Sequence, residues 1–163
     1  MFKSHGEKRI NLPNGVSIRK TYQFLIFSKD SDIKSEEGKY PVIVTGFGKY
    51  QFGNFTITFR KVSRSKFKSA DGNDYFSLSD LRFPLTIRTR FSGDRLIPFG
   101  RKTPVKLKKL LIDLKIEKNR RDDLPVITDS SGSILLVPGI RRSNIAPVTE
   151  GSKSLLRISV KEK

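Results

Sequence analysis

The residues best placed to do chemistry in this sequence are cations. They begin at Arg88 and Arg90 and pass through Gly93-Asp94-Arg95 and Pro98-Phe99-Gly100-Arg101-Lys102. They continue with Lys106, Lys108, Lys109, Lys115, Arg120 and Arg121, and Arg141 stands further on. Between Arg101 and Arg121 nine basic side chains face only Asp113 and Glu117. A guanidinium donates to phosphate oxygens as a bidentate fork, and an ammonium serves as a flexible point charge. A groove of both kinds holds a phosphate backbone without reading its sequence, and in A-form RNA backbone and shape are what side chains can reach. These twelve residues are the candidate RNA-binding set. The competing role is internal, with Arg88 or Arg95 paired to Asp94 or Asp113 in service of the fold.

Other chemistries are poorly served. There is no Cys, which excludes disulfides, thiolate metal sites and a catalytic cysteine, and the single His5 reads as a terminal surface residue. Asp122-Asp123, ahead of Leu124-Pro125, reads as a polar turn. A metal-dependent nuclease built on Asp94, Asp122 and Asp123 is conceivable beside the basic run, yet their spacing matches no motif. Gly46, Gly48 and Gly53 fit neither a dinucleotide fingerprint nor a P-loop, and hairpin turns explain them better. No nucleophile elbow or zinc signature occurs. The expectation is a chain with no catalytic residue, no metal and no cofactor of its own.

Composition points the same way. The 163 residues carry 33 Lys and Arg against 16 Asp and Glu, a net charge of +17, so a polyanion is the expected partner. Residues 1–80 hold 14 basic and 8 acidic side chains and residues 81–163 hold 19 and 8, which puts the main contact surface in the second half. Hydrophobic residues make up 36%, too many for a disordered tail. No apolar run is long enough to span a bilayer and the N-terminus lacks a signal-peptide core, so a cytoplasmic setting is expected.

The elements that must position these cations read as mostly β, an α+β fold of antiparallel layers with one principal amphipathic helix at about 103–116. Strands are expected at Val16–Arg19, Tyr22–Phe27, Tyr40–Val44 and Phe55–Phe59, where Phe55, Ile57 and Phe59 share a face. Ser28–Lys39 reads as an exposed loop and residues 61–80 as a polar connector, dividing a β-rich linking subdomain (1–80) from a C-terminal binding domain (81–163). Beyond it, Leu81, Phe83, Leu85 and Ile87 alternate with Arg82, Pro84, Thr86 and Arg88, one face apolar and the other bearing arginines. Thr103 and Pro104 suit a helix start, and Leu107, Leu110, Leu111 and Leu114 form a core-facing stripe with Lys108 and Lys115 aligned on one flank. Leu124–Ile127, Ile134–Val137 and Leu155–Val160 return to strands around a turn at Asp129–Gly132.

The run Leu85-Thr86-Ile87-Arg88-Thr89-Arg90, with Gly93-Asp94-Arg95, Pro98 and Gly100, resembles the C-terminal region of tRNA(Ile)-lysidine synthetases. Lys106-Leu107-Lys108-Lys109, Asp113, Lys115-Ile116, Arg121, Leu124-Pro125-Val126 and Val137-Pro138-Gly139-Ile140-Arg141 follow in the family's order. Glu117 stands where the family often has proline, and Leu136 where tryptophan is common. The resemblance implies a parent enzyme that uses ATP to activate the wobble cytidine of isoleucine tRNA with a CAU anticodon, which lysine then attacks to give lysidine. It implies that ATP and Mg bind an N-terminal catalytic domain with a Ser-Gly-Gly-x-Asp-Ser motif absent from this sequence. This region would engage the tRNA near its acceptor stem, in a domain similar to one in the large subunit of phenylalanyl-tRNA synthetase. The residues alone suit a free-standing RNA- or ribosome-binding module equally well.

Overall fold

The computed structural model describes residues 8–12, 16–20, 25–29, 40–67, 72 and 74–163. It divides into two compact units, 1–37 and 38–163. In the first, β1 (Lys8–Leu12), β2 (Val16–Lys20) and β3 (Leu25–Lys29) form an antiparallel meander in the order β1-β2-β3. The expected Val16–Arg19 strand is β2. Tyr22–Phe24 and residues 30–39 lie outside the described residues.

The second unit holds two larger antiparallel sheets. One has the order β5-β6-β14-β7, from Gly48–Phe52, Phe55–Ser63, Ser154–Glu162 and Asp74–Ser77. The other runs β13-β12-β11-β8-β4, from Arg141–Arg142, Ile134–Val137, Val126–Thr128, Leu85–Arg88 and Val42–Val44. The units divide at residues 37 and 38, and strands from both sides of residue 80 share sheets in the second unit: β4 pairs with β8, and both β6 and β7 pair with β14. Residues 61–80 are correspondingly not a bare connector: they finish β6 and supply β7, which buries Tyr75 and Phe76.

Burial separates the sheets. Along β6, Phe55, Ile57 and Phe59 are buried while Thr56 and Thr58 are half-buried, as period-two alternation requires of a sheet with one covered face. Every position of β8, β11 and β12 is buried, so the three central strands of the five-stranded sheet are covered on both sides. One contiguous core joins Ile57, Phe59, Phe76 and Ile158 of the first sheet to Leu85, Ile87, Ile127 and Leu136 of the second, and reaches Leu107 and Leu111. Fully burying side chains of this size is worth about 1.5–3 kcal/mol each, which makes this core the main source of stability.

The helix is shorter than the leucine stripe suggests. The α1 helix spans Leu107–Asp113, because Val105–Lys106 (β10) is extended and pairs with Arg95–Leu96 (β9). Thr103 and Pro104 therefore lie ahead of a strand, and the Leu107 N–H donates to the Asp94 carbonyl at 2.8 Å instead of to a side-chain cap. At the far end Lys115 N donates to Ile112 O at 2.8 Å and Ile116 N to Leu111 O at 3.0 Å, the paired bonds of a Schellman stop. Lys115 occupies the left-handed position of that stop (φ 54), so it does not share a helical flank with Lys108, and Leu114 is exposed. A second short helix, α2 (Lys118–Asp123), takes in Asp122-Asp123, where a turn was expected.

Candidate nucleic-acid interface

The β9–β10 hairpin has one apolar and one cationic face. Leu96 faces Val105 on the core side, and Arg95 lies directly opposite Lys106, both exposed. Its loop is fixed to the β13 region by Phe99 N to Arg142 O at 3.0 Å, by Asn144 N to Ile97 O at 2.8 Å and by a bridge between Pro98 and Ser143. This docking brings Arg101 from the loop, Lys109 from α1 and Arg141 from β13 around a cleft of about 170 Å³, with Pro98, Val105, Leu110 and the single carboxylate Asp113. Three chain segments thus converge on one anion-sized opening.

The twelve candidate residues separate by partner. Arg95, Arg101, Lys102, Lys106, Lys108, Lys109, Lys115 and Arg141 are exposed and form no ion pair among the described residues. Arg88 is different. It is 5% exposed and grips Asp94 through Nη1 to Oδ2 at 2.8 Å and Nη2 to Oδ1 at 2.9 Å. It also donates to the Thr89 carbonyl and lies 4.1 Å from the Phe91 ring centroid, while Phe91 N donates to Asp94 Oδ2. Arg88 is therefore an internal clamp on the loop after β8 and not an outward arginine, because β8 is covered on both faces.

Three more candidates have internal partners. Arg90 bonds Asp122 at 2.5 Å, Arg120 bonds Glu162 at 2.7 Å, and Arg121 Nε donates to the Ile116 carbonyl at 2.6 Å. The first two pairs are partly or well exposed and contribute little to stability, so phosphate can compete for those arginines. Asp94 and Asp122 are each engaged by an arginine, and among the described residues no three His, Cys, Asp or Glu side chains lie close enough to hold a metal ion.

Two groups of residues escaped the sequence reading. Arg142 projects to the opposite side of β13 from Arg141 and sits between the rings of Phe76 (4.5 Å) and Phe99 (4.7 Å). Burial lowers its pKa and the nearby Asp74 carboxylate opposes that shift; burial raises the Asp74 carboxyl, with Arg142 opposing. On the four-stranded sheet, Arg157 lies directly opposite Arg60, and Lys49 and Lys161 occupy the same face, offset by even steps of register. The period-two pattern of β6 carried a signal for that face; nothing local to Arg142 could have identified ring partners so distant in sequence.

Residues 85–159 match the family model described as the TilS substrate C-terminal domain. The tRNA(Ile)-lysidine synthase of Bacillus subtilis (strain 168) is 33% identical over 138 residues, covering 82% of this chain and 29% of that protein. The tRNA(Ile)-lysidine synthase of Persephonella marina (strain DSM 14350 / EX-H1) is 42% identical over 86 residues, 53% of this chain and 18% of that protein. A solved structure described as the TILS C-terminal domain superposes with a TM-score of 0.64 at 28% identity, covering 76% of this chain and 96% of the other. The chain spans about 29% of the length of the first full-length relatives it matches.

Proposed function

We propose, for a chain that is a C-terminal region of the tRNA(Ile)-lysidine synthase family, that it holds isoleucine tRNA for a catalytic domain elsewhere in the same polypeptide. The reaction is the ATP-dependent conversion of the CAU wobble cytidine to lysidine. ATP and Mg belong to that other domain, and the setting is cytoplasmic. The contribution of this region is positional: it docks on the acceptor-stem side of the tRNA so that the anticodon reaches the reacting groups with less orientational freedom to lose.

The observation that carries this reading is the cleft of Arg101, Lys109 and Arg141, flanked by Arg95, Lys102, Lys106 and Lys108, all exposed and without internal ion partners among the described residues. Cations so arranged repel one another, and a phosphate backbone relieves that repulsion while releasing condensed counterions. Arg90, Arg120, Arg121 and Lys115 extend the surface, and Arg88 acts from behind it by shaping the loop that leads to Arg95.

Filter binding of tRNA to the chain across a salt series tests the proposal. Affinity should fall steeply and linearly on logarithmic axes with little dependence on tRNA sequence; affinity that is flat between low and physiological salt overturns it. The chain supplied with ATP, lysine and isoleucine tRNA should form no lysidine by mass spectrometry, and a modified product would move catalysis into this region.

A further inference from the structure

Phe99 is the exposed aromatic at the edge of the cationic cleft, with 53% of its surface open to solvent. Exposed hydrophobic residues are ordinary when scattered, and Phe47, Ile112 and Leu114 here call for no explanation. Phe99 differs in how it is held. Its own N–H is bonded to Arg142 O, Arg101 N closes a turn on Pro98 O at 2.9 Å, and Gly100 supplies the left-handed backbone (φ 78) that turns the chain back. Behind the ring lies the Arg142 guanidinium, backed by fully buried Phe76. One guanidinium thus contacts both the buried Phe76 ring and the exposed Phe99 ring.

Such an arrangement presents part of a flat π surface on a turn held by backbone hydrogen bonds and by the Arg142 contact. The cation behind the ring draws π density inward and lessens the face-to-face repulsion that a second aromatic system would otherwise meet. Pro98 and Arg101, on either side of the turn that carries Phe99, line the cleft together with Arg141, the neighbour of Arg142. A planar group resting on Phe99 would therefore have anion-binding side chains within a nucleotide's length.

We propose that Phe99 is a stacking platform for an unpaired nucleobase of the bound RNA, with the adjoining phosphates held by Arg101 and Arg141. This rests on the RNA-binding reading above and adds to it a preference for a single-stranded extension beside a duplex. Stacking on an aromatic side chain accepts any base, so the preference concerns strandedness and not sequence.

The experiment compares a blunt RNA hairpin with the same hairpin bearing a 3′ single-stranded tail in which one adenine is replaced by 2-aminopurine. The intact chain should bind the tailed RNA more tightly by roughly 5- to 150-fold, the range expected of one stacked base, and 2-aminopurine fluorescence should be quenched on binding. Phe99→Leu should lose the preference and the quenching while keeping its affinity for the blunt hairpin, and Phe99→Trp should restore both. Equal affinity of the intact chain for the two RNAs, or quenching that survives in Phe99→Leu, overturns the platform. If Phe99→Leu fails to fold, the intact protein's fluorescence decides alone, and absent quenching overturns the proposal. Loss of salt-dependent binding to the blunt hairpin itself would instead remove the RNA-binding reading beneath it.

Discussion

Arg88 and Arg95 are seven positions apart in sequence, yet one is enclosed and the other open to solvent. The difference is made by Asp94, whose carboxylate takes both Arg88 nitrogens and the Phe91 N–H. Removing one member of such a pair leaves a buried charge without its partner, so Asp94→Asn should lower unfolding free energy by about 3–5 kcal/mol in denaturant melts. Below its melting temperature the variant should keep the wild-type salt slope for tRNA, and a shallower slope would mean that the Arg88 clamp touches RNA after all. Asp74 gives a second residue-scale test. Burial raises its carboxyl pKa, so the folded chain keeps that proton to higher pH than the unfolded one. The associated stability is complete below the unfolded-state value and is lost as pH rises through the folded one. The stability of Asp74→Asn relative to wild type should therefore improve as pH rises from acid toward neutral, and a relative decline would refute the assignment.

At the scale of elements, regular periodicity was legible and pairing over distance was not. Phe55, Ile57 and Phe59 announced β6, Leu85 and Ile87 announced β8, and Leu107 with Leu111 announced a helix. The helix start was hidden because Val105 and Lys106 are extended by pairing with β9, a pairing that the spacing of residues around Pro104 does not show. The α2 sequence Lys-Asn-Arg-Arg-Asp-Asp has no apolar stripe to reveal a helix. In the site, exposed lysines were legible as charge, whereas the Arg88 clamp needed the folded loop and the Arg142 stack needed three separate strands and turns.

Lys115 separates charge from backbone within one residue. Lys115→Gly and Lys115→Ala remove the same cation, but only glycine suits the left-handed stop, so Gly should be the more stable by about 1 kcal/mol. Their tRNA affinities should match, and unequal affinities with equal melting would reverse the argument. The cleft itself is assembled from a hairpin loop, a helix and a strand. The triple substitution Arg101→Ala, Lys109→Ala and Arg141→Ala should reduce the salt slope by up to about three with little effect on melting, since surface changes typically alter stability by less than about 0.5 kcal/mol each. Leu111→Ala should do the reverse, costing about 2–5 kcal/mol through lost burial and a cavity.

Across the whole molecule a net charge of +17 is carried by sheets that set cation against cation, Arg60 opposite Arg157 and Arg95 opposite Lys106. Cross-strand like charges destabilise a pair, by an amount comparable to the roughly 0.2–1 kcal/mol that favourable pairs contribute. The free protein is thus held apart by its own surface, and added salt should have contrary effects: screening raises the melting temperature of the chain alone while it dissolves the complex. Mass action supplies the other half, since a ligand that prefers the folded state stabilises it in proportion to its occupancy. At low ionic strength tRNA, or a simple polyanion such as heparin, should raise the melting temperature, and the increment should shrink as salt is added. On the reading proposed above, RNA would supply a layer of counter-charge that the chain does not encode, and Arg60 opposite Arg157 is one place where the free protein sets cation against cation.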